Sequence, residues 1–258
     1  MPSVPRIYLL SVRALAAAQG AIQAVFDGVW LGVLSPEQLH GIDDVYYRRE
    51  RLYVRDEYNR SGLFGWERDF VDEHVPAGSR IAVAGAGGGR EVLALAQRGF
   101  DVVGFECNET LVSAGNRLLR VDGFSTLLRT VERDRWPAGA GPFDALVVGW
   151  GSYMLMPGRA QRIEFLRSAR NDLVAAAPVL LSFFARGGFS RRLRLTARCG
   201  TAIRRARGRP ALEPGDSLAP NYVHWFDRDQ IESELRAAGY DLVAFSTTGY
   251  GRAVARVR

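Results

Sequence analysis

Lysine is absent from the 258 residues: all 34 side chains of the Lys+Arg total are arginine. A Schiff-base enzyme, a pyridoxal phosphate anchor and a Walker-type phosphate loop each need a side-chain primary amine, so none of them fits this sequence. Cysteine is scarce. Cys107 and Cys199 stand far apart with no Cys-x-x-Cys spacing, and the histidines are His40, His74 and His224. That supply argues against a structural zinc site or a disulfide framework, so no metal is expected and a reducing cytoplasm is the expected location. A long uninterrupted apolar run is also missing. Residues 7–34 are rich in apolar side chains, but Arg13, Gln19, Gln23 and Asp27 break them up. No continuous stretch of about 18 residues is left to cross a bilayer. The segment reads as an amphipathic helix without a membrane role.

What is present suits a globular protein. Hydrophobic residues make up 47% of the chain, enough to bury the core of one large domain or of a main domain with an appendage. The net charge of +6 is local: nine arginines and no acid fall between Arg186 and Arg209, and without them the remainder carries −3.

Residues 1 to about 60 lack strand alternation and read as helical. Ser35-Pro36-Glu37-Gln38 starts one helix, with serine as cap and proline in its first turn. A stretch dense in tyrosine and arginine follows from Tyr46 to Tyr58, then a short helix around Phe64–His74. From Arg80 strands and helices alternate. Strands are predicted at 81–84, 101–105, 125–131, 143–148 and 178–184, and helices at 91–97, 109–119 and 159–173. A last helix at 228–238 precedes a hairpin formed by 240–246 and 252–257. Such alternation implies a parallel sheet covered by helices on both faces.

The sharpest motif is Gly85-Ala86-Gly87-Gly88-Gly89, between a strand and a helix. Glycine lets such a turn form and lets a ligand approach the backbone, and the helix start offers unpaired N–H groups to an anionic or polar ligand. Glu106 stands 21 residues after Gly85, at the end of the next strand. That matches the spacing of about 20 residues at which a carboxylate reaches the hydroxyl pair of a ribose. A tight turn alone would also use glycine. The combination of strand, turn, helix, strand and terminal acid points to a nucleoside-containing ligand. A dinucleotide is disfavoured, because Arg90 stands where that fingerprint has its third glycine and because the lysine of a short-chain dehydrogenase is missing.

Residues 80–258 resemble the class I S-adenosylmethionine-dependent methyltransferases. Val83-Ala84-Gly85-Ala86-Gly87-Gly88-Gly89 is similar to that family's first motif, and Glu106 to its ribose-binding acid. Asp134 resembles its adenine-contacting acid, and Phe143-Asp144-Ala145-Leu146-Val147-Val148-Gly149-Trp150 the strand whose end faces the reacting methyl. The Ile231–Gly239 helix with Tyr240-Asp241-Leu242-Val243 resembles its closing helix and hairpin. The resemblance implies a three-layer Rossmann-like α/β sandwich, with a seven-stranded, mostly parallel sheet that ends in an antiparallel hairpin. It implies a helical cap or lid over residues 1–62, a methyltransferase domain over 63–258, and an arginine-rich insertion at 185–222. It also implies S-adenosylmethionine as cofactor, S-adenosylhomocysteine as product and a small-molecule acceptor methylated by in-line displacement. The cofactor would be held by Gly85, Ala86, Gly87, Gly88, Glu106, Cys107, Asp134, Gly149, Trp150 and Tyr58. One departure stands out: many members carry an acid two residues before the first glycine, where this chain has Val83, so another group must meet the methionine ammonium.

A base is needed only if the acceptor loses a proton. His224, inside Asn221-Tyr222-Val223-His224-Trp225-Phe226, and Tyr153, after the fourth strand, are the catalytic candidates. His224 also has an ordinary structural reading as a hydrogen-bonded side chain, and Trp150, beside Tyr153, as a packed one. His40 and His74 read as surface residues. Tyr58 and Arg60 are placed to meet the methionine carboxylate if the 46–60 stretch folds over the cofactor. The arginine segment has three readings: a solvated helix, a docking face for an acidic substrate or carrier, and a nucleic-acid backbone contact. The last leads to an alternative function as an RNA methyltransferase, although Phe189 is the only aromatic within the segment. A non-catalytic S-adenosylmethionine-binding protein is the alternative outside enzymes.

Overall fold

Alternate residues of the first strand feed two separate cores, and this sets the layering. A computed structural model describes residues 3–125, 128–187 and 190–258. In chain order the helices are α1 (Val4–Val33), α2 (Pro36–Arg49), α3 (Asp56–Asn59), α4 (Gly65–His74), α5 (Arg90–Gln97), α6 (Glu109–Val121), α7 (Arg159–Arg170), α8 (Arg191–Ala206) and α9 (Arg228–Ala238). The strands are β1 (Arg80–Ala84), β2 (Asp101–Glu106), β3 (Leu128–Thr130), β4 (Ala145–Val148), β5 (Pro178–Ala185), β6 (Asp216–Leu218), β7 (Tyr222–Phe226), β8 (Tyr240–Ser246) and β9 (Gly251–Val257). Ile81 and Val83 of β1 pack with α4, α5 and α6, while Ala82 and Ala84 pack on the other face with α7 and α9. The period of two in the strand thus gives each sheet face its own helical layer.

Strands β3-β2-β1-β4-β5 are parallel neighbours. β9 runs antiparallel along β5, and β8 antiparallel along β9, so this part of the sheet has the seven strands read from the sequence. A strand pair extends it. β7 joins β5 at Phe184↔Trp225 and Ala185↔Phe226, and β6 pairs with β7. β6 comes from the region read as insertion and β7 starts where that region ends; no alternation announced either. β3 is shorter than the predicted 125–131; Thr126 and Leu127 lie outside the described residues, as does Phe189.

Most of residues 3–60 is helical. Ser35 caps α2 with a reciprocal pair of bonds, Gln38 N–H to Ser35 Oγ at 3.3 Å and Ser35 N–H to Gln38 Oε1 at 2.9 Å. α1 is one helix of 30 residues and corrects the expectation that its polar residues leave no spanning stretch: by length and composition it is long and apolar enough to cross a membrane, because few of its residues are charged. Its buried residues are Ala24, Asp27, Gly28, Leu31 and Gly32, all in its last third. Gly28 is required by close approach, since a Cβ there would come within 2.8 Å of Cys199 Cβ and of the Thr196 carbonyl on α8.

Two histidines differ from their reading as surface residues. His40 sits within α2, partly buried, with Nε2 2.9 Å from Asp134 Oδ2. His74 ends α4 partly buried against Phe70. In both cases the partner comes from tertiary packing that a local reading does not contain.

Asp43 is buried in α2, accepts a bond from Asn221 Nδ2 at 2.8 Å and lies 3.4 Å from Arg133 Nη1. Burial raises its carboxyl to about 6, against the pull of Asn221 and Arg133. Unfolded aspartate titrates near ~3.9, so between about pH 4 and pH 6 the folded chain holds a proton that the unfolded chain has lost. The contribution of this group is therefore greatest below about pH 4 and declines as pH rises to 6, by about 3 kcal/mol at most. Urea unfolding of wild type and Asp43→Asn across this range should show a decline in the wild type that the variant lacks.

Candidate functional site

The C-terminal ends of β1, β2 and β4 meet at one cavity, which with its open mouth encloses about 1070 Å³. Parallel α/β sheets place ligand sites at this end, because strand ends splay there and the helix starts point their N–H groups inward. Gly85 and Gly87 both have positive φ, 65° and 55°. The Gly87 N–H donates to Glu106 Oε2 at 2.8 Å, and the Asn108 N–H to Glu106 Oε1 at 2.8 Å. Glu106 ends β2 and Asn108 caps α6, accepting from the Thr110 and Leu111 N–H groups. Both oxygens of Glu106 are thus fixed by backbone on the cavity wall, with lone pairs left for a ligand. Beside it, burial pushes the Cys107 thiol up to about 12, helped by the Glu106 charge. It stays a thiol at neutral pH and is no nucleophile.

The N-terminal segment roofs this cavity. Tyr47 of α2 and Tyr53 of the following turn line it. Edge and tilted ring contacts run from Tyr46 through Tyr47 and Tyr53 to Tyr58, with centroids 5.2, 5.7 and 5.6 Å apart. Burial raises the Tyr53 hydroxyl to about 12. α2 is tied to the rim by His40 on Asp134 and by Asp43 and Asp44 on Arg133. The Tyr53 carbonyl and Asn59 Nδ2 occupy the space a Cβ on Gly88 would need, so that glycine serves the roof. A smaller recess shares Gly85, Gly87, Tyr53 and Trp150 with the main cavity and adds Ala86, Gly88, Tyr58, Asn59, Arg90 and Glu91. Asn59 is buried; its Nδ2 donates to the Tyr53 carbonyl at 2.9 Å, and its Oδ1 has no partner among the described residues.

Arg90, the residue that spoils the dinucleotide fingerprint, joins these parts. It is 2% exposed and donates to Glu67 through both terminal nitrogens, at 2.8 and 2.7 Å. It also donates to the Gly62 carbonyl at 2.8 Å and to Glu91 Oε1 at 2.7 Å, and it lies over the Phe64 ring at 3.9 Å. Burial opposes its charge, but Glu91 and Glu67 outweigh this and hold the guanidinium above its ordinary value. Glu91 in turn accepts the Trp150 N–H at 3.2 Å, so one buried cluster connects α4, the start of α5 and the loop after β4.

Of the residues singled out in the sequence, Gly85, Gly87, Glu106, Cys107, Asp134 and Trp150 line the main cavity, and Ala86, Gly88 and Tyr58 the recess. Gly149 lines neither; its N–H donates to the Ala84 carbonyl at 2.7 Å, and it packs against the Gly85 backbone. The two catalytic candidates are also absent from the lining. His224 is fully buried on β7, with Nδ1 2.7 Å from Asp216 Oδ1, an oxygen that also accepts the Tyr222 hydroxyl at 2.7 Å. The β6–β7 ladder sets Asp216 opposite His224 and makes the pair structural. Tyr153 is fully buried, its hydroxyl donating to Glu234 at 2.7 Å beside Arg162. Arg60 lies on the surface, paired with Asp122 at 2.6 Å. Tyr47, Tyr53, Asn59 and Arg133 complete the lining; the tyrosine density of 46–58 signals the first two, and no local pattern marks the others.

Searched against protein-family models and against curated proteins, the chain finds no match. Solved structures are similar to it. One is Burkholderia thailandensis 1,6-didemethyltoxoflavin-N1-methyltransferase with bound 1,6-didemethyltoxoflavin and S-adenosylhomocysteine, with TM-score 0.63 and 15% identity over 87% of this chain and 91% of that one. A second, a SAM-dependent methyltransferase from Methanosarcina mazei, has TM-score 0.60 and 18% identity over 76% of this chain and 98% of that one. The CcbJ methyltransferase from Streptomyces caelestis has TM-score 0.60 and 14% identity over 81% of this chain and 96% of that one. The chain has the class I methyltransferase fold.

Removing Arg90 leaves Glu67 and Glu91 buried without their cation. Arg90→Met should lower unfolding free energy by about 3–5 kcal/mol, read by urea titration, and adding Glu67→Gln should recover part of that loss.

Proposed function

We propose that this chain binds S-adenosylmethionine and transfers its methyl group to a small molecule held in the same cavity. The observation that carries the reading is Glu106, a carboxylate anchored by two backbone N–H groups on the wall of a cavity bordered by the Gly85–Gly87 backbone. Its free lone pairs suit the paired hydroxyls of a ribose. Asp134, on the same cavity, suits the adenine amino group, with His40 fixing its orientation. Where the family has an acid, Val83 is buried and apolar. The unpartnered Asn59 Oδ1 beside the glycine loop is the acceptor suited to the methionine ammonium in its place. When bound, the cofactor supplies a methyl group on a sulfonium, which a nucleophile in line can displace.

The remaining walls position the acceptor. Trp150 borders both cavity and recess, and Met154, Met156 and Phe165 give the interior an apolar lining that keeps water out. Cys107 and Tyr53 stay protonated, so neither supplies an anion at neutral pH. An acceptor that presents its own lone pair fits this lining. The roof of Tyr47 and Tyr53 favours a small molecule over a polymer. The arginines of α8 are absent from the cavity lining, which counts against the RNA reading.

Isothermal titration with S-adenosylhomocysteine should give saturable binding, weakened about tenfold to a hundredfold by Glu106→Ala and about tenfold by Asn59→Ala. His224→Ala should lower the unfolding midpoint yet leave that affinity within about twofold. Absence of binding by either S-adenosylmethionine or S-adenosylhomocysteine to the wild type would sink the proposal. Binding without methyl transfer to any acceptor in a chemically diverse panel would leave a binding protein.

A further inference from the structure

α1 carries an apolar stripe that the rest of the molecule does not cover. Val4, Tyr8, Leu15, Ile22, Phe26 and Trp30 are separated by four or seven residues, so they share one face, and they are between 45% and 79% exposed. Arg6 and Arg13, seven apart, fall on the opposite side. The stripe runs the full length of the helix, about 45 Å at 1.5 Å per residue. Of the polar residues that interrupt this segment in sequence, the exposed Gln19 falls on the stripe, four residues after Leu15 and seven before Phe26, and Asp27 does not. Asp27 faces the body, where it takes bonds from Gln23 at 2.6 Å and from Arg192 at 3.0 Å. Ser11 returns its hydroxyl to the Tyr8 carbonyl at 2.7 Å, so it presents no unmet donor.

The charge beside the stripe indicates its occupant. Arg192, in the first turn of α8, is held against α1 by Asp27, and Arg207 and Arg209 donate to the Val33 carbonyl at the C-terminal end of α1, so α8 lies beside its last third. Between them α8 has no acid, and Arg191, Arg194, Arg198 and Arg205 are exposed on one face with no carboxylate partner among the described residues. An apolar stripe with aromatic residues along it, next to a purely basic helix, matches the chemistry of an anionic bilayer surface. A protein partner would need acidic groups around an apolar groove. A second copy of this chain would instead bring one basic helix up to another.

We propose that α1 lies in the interface of a lipid bilayer, its apolar stripe among the acyl chains and the arginines of α8 drawn to anionic headgroups. The test is flotation of the full chain with phosphatidylcholine vesicles, with and without phosphatidylglycerol. Wild type should float with both and more strongly with phosphatidylglycerol. Leu15→Glu with Ile22→Glu, at exposed positions, should reduce vesicle binding by about tenfold or more at an unchanged unfolding midpoint. Arg194→Gln with Arg198→Gln should cost about tenfold on phosphatidylglycerol vesicles only. The proposal fails if wild type stays in the aqueous fraction with both vesicles, or if the glutamate variant floats as wild type does. It also fails if light scattering shows a dimer that the glutamate variant breaks and no vesicle binding accompanies it, because the stripe then belongs to a second copy.

Discussion

Arg90 holds a positive charge where water does not reach, and the architecture around the glycine loop follows from keeping that charge compensated. A buried guanidinium is tolerable only with its hydrogen bonds satisfied and its charge matched. Glu67 arrives from α4, Glu91 from the next position of α5, and the Gly62 carbonyl from the segment that leads into α4. Two carboxylates facing one guanidinium leave Glu91 able to accept from the Trp150 backbone as well. The strand end, the helix start and the N-terminal segment are thereby held in one geometry by a single side chain. In a dinucleotide fingerprint the glycine at this position allows close packing of helix on strand. Here a charged side chain takes the position, with its partners drawn from the protein itself.

The parts of the fold that were legible are those whose cause is local. The alternation in β1, the glycine turn and the acid ending β2 each depend on neighbours a few residues away, and the seven strands follow from such signals together with the right-handed crossover of parallel strands. Glu106 was legible for the same reason: strand length and turn length fix its distance from the loop. His224 was not. A histidine between aromatic residues reads alike whether it faces a cavity or a core, and the deciding partner, Asp216, comes from a strand too short to carry a pattern. Arg90 reads as a mere departure until Glu67, 23 residues away in sequence, is placed against it. Asn59 is the reverse case: its type says little, and its burial with an unmet acceptor says much.

Functional groups around the cavity come from both halves of the chain. The sheet supplies Glu106 and the glycine backbone, which any chain with this fold could offer. The tyrosines, Asn59 and the salt links to Arg133 come from the N-terminal segment and give the site its individual walls.

Glycine on both sides of the α1–α8 contact removes the compliant layer that side chains would otherwise place between two helices. Asp27 of α1 also accepts from Ser217 on β6, β6 is zipped to β7, and β7 is paired to the end of β5. Tilt imposed on the N-terminal helix therefore has little slack in which to dissipate before it reaches the central sheet. In mechanical terms α1 is a lever with its fulcrum at Gly28, and its short arm is bolted to the frame that carries the cavity.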